Sequence, residues 1–200
     1  MKSKLNLPDV YPWLIFIGGV LGLIASLILV HDTLAIAQNT HYVPSCNLNP
    51  IISCGDVITF KGDSIFGLPY SFYGVAAFGM LVAAGAGMIA KANFEKWYWA
   101  ILQLATTIGL ISAYYLLFKS IYDIHALCPF CLSIDVITTT IFWYTTLRNI
   151  DRGMFAKIEL IKQKPYAFVR RHHLDILLLW FMLVVIFILH HFWYYYGKHL

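Results

Sequence analysis

Charged side chains are scarce in this chain of 200 residues. They make up 12% of it, whereas hydrophobic side chains make up 60%. An average soluble domain is about 45–50% apolar and about 25% charged. The composition therefore excludes an ordinary water-soluble domain and predicts that lipid is the main solvent. One domain is sufficient for this length.

Long uncharged runs indicate where the chain crosses the membrane. A spanning helix needs about 20 mostly apolar residues, and its backbone must be hydrogen-bonded internally. Five segments meet this requirement, at about 12–34, 68–90, 97–118, 126–147 and within 174–200. The first lacks a small-residue cleavage site after it, so it is predicted to be a retained helix and not a signal peptide. The expected fold is an all-α integral membrane protein with a four-helix transmembrane bundle and a fifth transmembrane helix.

Basic residues lie mainly on one side of this five-span arrangement. The positive-inside rule then predicts that the N-terminus is cytoplasmic. Only Lys61, Lys119 and Lys198 fall on the outer side. The other eleven of the 14 are Lys2, Lys4, Lys91, Lys96, Arg148, Arg152, Lys157, Lys162, Lys164, Arg170 and Arg171. The net charge of +4 is thus explained by topology, and it predicts a lipid bilayer and no nucleic acid as partner.

Cysteine is also rare, and all four copies fall on the outer side. Cys128 and Cys131 form a CxxC where the fourth span begins, close enough to bridge, and a helix N-terminus stabilises a thiolate there. Cys46 and Cys54 lie in the loop after the first span, where Pro50 and two asparagines favour turns. A dithiol in a mobile loop can exchange with a second dithiol. The residues alone leave open a redox relay, structural disulfides or a zinc site.

Two motifs resemble the vitamin K epoxide reductase family in its bacterial, quinone-linked form. The first is the pair Cys46 and Cys54 followed by the sequence FGLP at 66–69, with Ser71 and Gly74 opening the second span. The second is the CPFC sequence at 128–131. The resemblance covers the first four spans, and the order of the pairs is the reverse of that in the unrelated DsbB-type oxidases.

The resemblance implies a catalytic bundle at 1–148, with an outer cysteine loop at 35–67. Beyond it, the basic residues predict a cytoplasmic linker at 149–173, and the apolar run predicts a fifth transmembrane helix with a short outer tail at 174–200. The implied activity is that of a membrane thiol:quinone oxidoreductase that supports disulfide bond formation. The implied location is a bacterial inner membrane, with the active site on the periplasmic side.

The resemblance also implies an electron path. Electrons would pass from a periplasmic thioredoxin-like (DsbA-like) protein to Cys46 and Cys54, then to Cys128 and Cys131, and then to the quinone pool, ubiquinone or menaquinone. Cys131 would lie beside the quinone, Cys128 would exchange with Cys54, and Cys46 would face the incoming protein thiol. Many bacterial relatives continue into a thioredoxin-like domain. This chain ends at Leu200, so the partner is expected to be a separate protein, unless the chain is part of a longer one.

Residues near the quinone depart from the family pattern. Asp135 stands where some members have a tyrosine, and Tyr70 where some have a quinone-binding asparagine. Asp135 lies four residues after Cys131 and shares its helix face, where it can supply a proton. Alternatively it only orders the bundle by bonding Ser112, Tyr114 or Tyr115. The candidate quinone contacts are Phe66, Tyr70, Tyr73, Tyr114 and Asp135.

Other polar features have simpler interpretations. His31, Asp32 and His41 lie near the outer end of the first span and are expected to be solvated. Gly18 and Gly22 permit close helix packing. No metal is expected. The alternative from another class is a non-enzymatic membrane scaffold or metal-binding protein whose cysteines are structural.

Overall fold

The fold is known from a computed structural model that describes residues 7–39, 41–47, 49, 51–59, 64–65, 67–153 and 164–193. Five helices in these ranges are long and apolar enough to cross a membrane. They are Val10–Gln38, Tyr70–Ile89, Lys96–Ile124, Pro129–Asp151 and His173–His191. The prediction of an all-α integral membrane protein with five spans is confirmed.

The described elements follow one another in a simple order. The helices are α1 (Leu7–Gln38), α2 (Cys54–Thr59), α3 (Tyr70–Ile89), α4 (Lys96–Lys119), α5 (Pro129–Asp151), α6 (Lys164–Arg171) and α7 (His173–His191). Two short strands, β1 (Ser64–Ile65) and β2 (Leu68–Pro69), pair antiparallel before α3, with Ser64 opposite Pro69 and Ile65 opposite Leu68. The chain divides into two compact units, Met1–Tyr144 and Thr145–Leu200.

Proline and left-handed residues set several helix ends. Pro129 is the first residue of α5, a position where its missing N–H costs no hydrogen bond. Lys91, with a φ of 59°, follows the end of α3, and Gly153, with a φ of 68°, follows the end of α5. A left-handed residue just past the last turn is a common way to end a helix.

Small residues let α1 approach its neighbours in the first unit. A Cβ at Gly22 would overlap the ring of Phe78 on α3, and a Cβ at Gly18 would lie 3.2 Å from the Cδ1 of Ile141 on α5. The two glycines of the sequence motif therefore contact different helices. Close approach through small residues is typical of packing between transmembrane helices.

The outward faces of these helices are apolar, and several inward positions are polar. Met80 on α3 is 67% exposed and Ile111 on α4 is 65% exposed, whereas Ser26, Thr106 and Thr139 are buried. This distribution is the reverse of that in a water-soluble bundle. It agrees with lipid as the surrounding solvent.

The second unit carries the fifth span and basic residues before it. Arg170 at the end of α6 forms a partly exposed ion pair with Asp151, with 3.6 Å between Nη1 and Oδ1. The ring of Phe168 lies 4.7 Å from that of His172.

Candidate active site

The side chain of Asn47 organises the start of α2. Its Oδ1 accepts hydrogen bonds from the backbone N–H groups of Cys54 (2.9 Å) and Gly55 (3.0 Å). The Oγ of Ser53 accepts one from the N–H of Asp56 at 3.3 Å. These bonds satisfy N–H groups that the first turn of a helix leaves without partners. Cys54 is thereby fixed as the first residue of α2.

Removing the Asn47 side chain should loosen this arrangement. In Asn47→Ala two backbone N–H groups lose their acceptor, and we expect α2 to lose about 0.5–2 kcal/mol of stability, as for other lost caps. Cys54 of the reduced protein should then react faster with a maleimide, measured by quenched labelling and peptide mapping. Asn39→Ala is the matched control, because Asn39 accepts one exposed bond from the N–H of His41. Equal labelling rates in the two variants would contradict the role of Asn47.

A short backbone pairing joins the cysteine loop to the segment before α5. The Oδ1 of Asn49 accepts from the N–H groups of Ile51 (3.0 Å) and Ile52 (2.7 Å) and turns the loop. Ile52 then forms a parallel bridge with Leu127. The N–H of Leu127 donates to the carbonyl of Ile51 (2.6 Å), and the N–H of Ser53 donates to the carbonyl of Leu127 (3.1 Å). Cys54 follows Ser53 and Cys128 follows Leu127, so the pairing brings these two cysteines side by side.

The sulfurs of Cys46, Cys54 and Cys128 are joined by a disulfide and a hydrogen bond. Cys46 and Cys54 form a disulfide, with their Cα atoms 5.7 Å apart. The Sγ of Cys128 lies 3.2 Å from the Sγ of Cys54 and donates a hydrogen bond to it. Cys128 and Cys131 are not joined by a disulfide and are in the thiol form. The cysteine pairs, 74 residues apart in sequence, are thus in contact through Cys54 and Cys128.

These sulfurs lie inside an apolar cluster, here called the cysteine cluster. Cys46, Cys54 and Cys128 are all buried in it together with Leu29. Its partly buried members are Val57, Ile58, Phe130, Cys131 and Ile134. Cys46, which was expected to face an incoming protein thiol, is only 7% exposed. The loop folds back so that α2 covers the sulfurs with Val57 and Ile58.

A tight chain reversal delivers Cys128 to this cluster. The last turn after α4, Ser120–Ile124, is π-helical, and His125 then adopts a left-handed conformation with a φ of 57°. The Oγ of Ser120 donates to the carbonyl of Ala126. Single π-helical turns often occur at functional sites. Here the turn ends α4 and directs the chain into the pairing with the loop.

Cys128 has the electrostatic surroundings of a reactive thiol. A hydrogen bond with the side chain of Cys131 lowers the pKa of Cys128, and bonds from the backbone N–H groups of Phe130 and Cys131 act in the same direction. Burial opposes this shift. The helix that starts at Pro129 also favours a thiolate at its N-terminus. The thiolate is the form that attacks disulfides.

A cavity of about 920 Å³ opens beside the CxxC pair. Its walls include Cys128, Cys131 and Asp135, and the rest are mostly apolar side chains of α1, α3, α4 and α5. All of its described lining residues belong to the first unit. The volume lies within the range of about 300–1,000 Å³ that is usual for organic ligands.

The sequence is similar to a known protein family. The sequence model of the Vitamin K epoxide reductase family matches residues 13–146, well over half of the chain. The chain belongs to this family. The match includes all four cysteines and the described walls of the cavity. The vitamin K epoxide reductase family is a family of membrane oxidoreductases. A search of curated proteins finds no match.

The cavity has chemistry that fits the quinone used by vitamin K epoxide reductases. Two buried hydroxyl oxygens on its wall, the Oγ atoms of Ser26 and Ser71, have no hydrogen-bond partner within the described part of the chain. A buried hydroxyl without a partner is costly. A quinone carbonyl is an acceptor that both hydroxyls can bond. Sequence reasoning used Ser71 only as a motif residue and missed Ser26, because one serine in an apolar run carries no signal.

Three of the five residues predicted to contact the quinone line the cavity. Tyr70, Tyr73 and Asp135 line the cavity. Tyr114 is not among the described residues that line it, and its hydroxyl shares a 3.1 Å hydrogen bond with Thr139 on α5. Phe66 lies outside the described residues. No group of three His, Cys, Asp or Glu suited to a metal ion occurs within the described ranges.

The expectation that Asp32 is solvated is wrong. His31 and His41 are exposed, but Asp32 is only 3% exposed. The loop after α1 returns over this helix end, and the Tyr42 hydroxyl donates to the Oδ1 of Asp32 at 3.0 Å. This hydrogen bond raises the pKa of Tyr42. The sequence does show an acid, Asp32, directly after a long uncharged run. Whether this acid is buried, however, depends on how the loop folds over it.

Proposed function

We propose that this protein passes electrons from a thioredoxin-like protein outside the membrane to a membrane quinone, and so supports disulfide bond formation. Electrons enter at Cys46 and Cys54, move to Cys128 and Cys131, and leave at the cavity. The observation that carries this proposal is the 3.2 Å contact between the sulfurs of Cys54 and Cys128, at the wall of a cavity that Cys131 also lines.

The transfer between the pairs takes two exchange reactions. The thiol of Cys54 attacks Cys128 of an oxidised CxxC, so that a Cys54–Cys128 disulfide forms and Cys131 leaves. Cys46 then attacks Cys54, which forms the loop disulfide and releases Cys128. The result is an oxidised loop pair and a reduced CxxC, which is the state of the four sulfurs in the structure.

Residues of the cavity receive the electron acceptor. A bound quinone takes up two electrons and two protons. Ser26 and Ser71 would donate hydrogen bonds to a carbonyl oxygen, and Tyr70 and Tyr73 would line the ring. Asp135 would hold a proton on the same helix face as Cys131.

The burial of Cys46 sets a condition on the first step. A protein thiol must reach this sulfur, and Cys46 is covered by the loop that carries it. We propose that the loop, which is held by the Asn47 bonds and the pairing with Leu127, lifts when the partner binds. Surface segments of this kind open at low free-energy cost compared with the packed core.

The location and the domain plan belong to the same proposal. The basic surplus on one side supports a cytoplasmic N-terminus and a periplasmic active site in a bacterial inner membrane. The catalytic bundle would be residues 1–148, joined by the basic linker at 149–173 to the fifth helix and its outer tail. The partner would be a separate DsbA-like protein.

Thiol trapping in native membranes tests the proposal. The protein is reduced, a soluble quinone is added without oxygen, and free cysteines are counted with a mass-shifting maleimide. The wild type should lose all four thiols quickly, and Cys131→Ser should lose none on that time scale. Ser133→Ala is the matched control, because this exposed hydroxyl of α5 bonds only to the carbonyl of Pro129 among the contacts described.

The alternative function predicts another result. In a scaffold with structural cysteines, the wild type and Cys131→Ser would oxidise equally slowly. That outcome would overturn the proposed electron path.

A further inference from the structure

Asp32 is a buried acid on α1, the helix that contributes Leu29 to the cysteine cluster. It lies at the outer end of α1, three residues after Leu29, which is itself a member of the cluster. Residues three apart share a helix face. The carboxyl group therefore lies on the side of α1 that packs against the sulfurs.

The two oxygens of this carboxyl group differ. Oδ1 accepts the Tyr42 hydroxyl at 3.0 Å and contacts the Nδ1 of His31 at 3.3 Å. Oδ2 is buried and has no hydrogen-bond partner among the described residues. A buried carboxylate oxygen without a partner is strongly unfavourable. One oxygen is thus anchored, and the other is available to accept a proton.

The exchange reactions create a need for such a group. A thiol must lose its proton to attack a disulfide, and the sulfurs are shielded from water. Apart from the sulfurs themselves, the cluster consists of hydrocarbon side chains, Leu29, Val57, Ile58, Phe130 and Ile134. None of these can accept a proton, and the other buried acid near the sulfurs, Asp135, lines the quinone cavity and serves the quinone step in the proposed path. The hydroxyl of Ser53, also buried nearby, already accepts the N–H of Asp56.

We propose that Asp32 is the proton acceptor for the exchange between the two cysteine pairs. This inference rests on the proposed electron path. As Cys54 attacks Cys128, the Cys54–Cys128 bond forms, the Cys128–Cys131 bond breaks, and the proton of the Cys54 thiol passes to Asp32. Cys131 leaves as a thiolate. As Cys46 attacks Cys54, the Cys46–Cys54 bond forms, the Cys54–Cys128 bond breaks, and Cys128 leaves and takes back the proton held by Asp32. The proton of the Cys46 thiol passes to the Cys131 thiolate, so that both cysteines of the CxxC end as thiols.

The electrostatics of Cys128 agree with this placement. The hydrogen bond with Cys131 is the main influence and lowers the pKa of Cys128, but the charge of Asp32 acts against it. The two groups are therefore within electrostatic range of each other.

The time course of quinone-driven oxidation separates this role from the rest of the path. When a fully reduced protein meets soluble quinone, Cys128 and Cys131 should oxidise first, and the loop pair should follow at the rate of exchange. Peptide mapping after rapid acid quench identifies the pair lost in each phase. In Asp32→Asn the second phase should slow by at least about tenfold, while the first phase changes less than about twofold.

Two further variants distinguish proton transfer from support of the fold. Asp32→Glu should recover most of the second phase, and Asp32→Ala should recover part of it when formate is added, since formate can occupy the vacated site. Asp123→Asn is the matched control, because this exposed acid of the π-helical turn pairs with Lys119, and neither residue is a member of the cluster.

The possible outcomes distinguish failure of the proposed function from failure of the role of Asp32. If the wild type shows no oxidation by quinone, the proposed function fails. If the wild type shows both phases and Asp32→Asn matches it, the role of Asp32 fails alone. Equal slowing of both phases, or no recovery with either Asp32→Glu or formate, also overturns that role, because it would mean that Asp32 only supports the fold.

Discussion

A chain that keeps only Cys54 and Cys128 should form an intramolecular disulfide almost completely under mild oxidation. The variant is Cys46→Ser with Cys131→Ser, and oxidised glutathione serves as the oxidant. The two sulfurs already lie 3.2 Å apart, and a disulfide bond needs about 2.05 Å. The required movement is about 1 Å, which side-chain rotation supplies. Held reactants of this kind react far faster than free ones.

The matched control keeps Cys46 and Cys128 instead, through Cys54→Ser with Cys131→Ser. Both variants have two free thiols in the same cluster, but only the first has the two that are in contact. Mobility on a non-reducing gel and maleimide counting measure the bond, and tryptic mapping locates it. Equal bond formation in the two variants would show that the loop moves too freely for the observed contact to define the exchange pair.

Much of the architecture could be predicted because lipid allows few solutions. A backbone in hydrocarbon must satisfy its own hydrogen bonds, so five long apolar runs had to be helices. Their ends were set by local chemistry that is also readable, such as Pro129 opening α5. The grouping of all four cysteines on one side of the spans then followed from the count of spans.

The rotation of each transmembrane helix about its own axis, which decides the side chains that line the cavity, was harder to predict. Residues two positions apart, such as Ser112 and Tyr114, lie on different faces of α4, and the rotation of the whole helix decides which of them meets the cavity. Tyr114 bonds Thr139 on α5, whereas Ser112 lines the cavity. Composition does not fix this rotation, because both faces of a membrane helix are apolar. The unpartnered hydroxyl of Ser26 was missed for the same reason.

The conformation of the cysteine loop could not be predicted from the sequence either. The asparagines predicted turns, but the long-range pairing of Ile52 with Leu127 joins segments 75 residues apart in number. That pairing folds the loop over the end of α1. The burial of Cys46 and of Asp32 follows from it, so neither could be derived from the residues around them.

Asp135→Asn should slow the oxidation of the CxxC pair by quinone by about 100-fold, a typical contribution of a positioned proton donor. Asp135 is buried, lines the cavity and lies one turn beyond Cys131 on α5. Reduction of a quinone consumes two protons, and asparagine keeps the size and hydrogen-bonding ability of the acid but gives no proton. Disulfide formation between Cys54 and Cys128 alone should be unchanged, because it needs no quinone.

The competing explanation is that Asp135 only orders the bundle through hydrogen bonds to α4. In that case Asp135→Asn would retain the oxidation rate, and any effect would appear in the thermal unfolding midpoint. Thr139→Val supplies the comparison, because it removes an interhelical bond, to Tyr114, without touching the wall. Such bonds contribute about 0.6 kcal/mol on average. Proton transfer by Asp135 predicts that Asp135→Asn loses oxidation rate but keeps its unfolding midpoint, and that Thr139→Val keeps its oxidation rate. Stability and rate would then change independently.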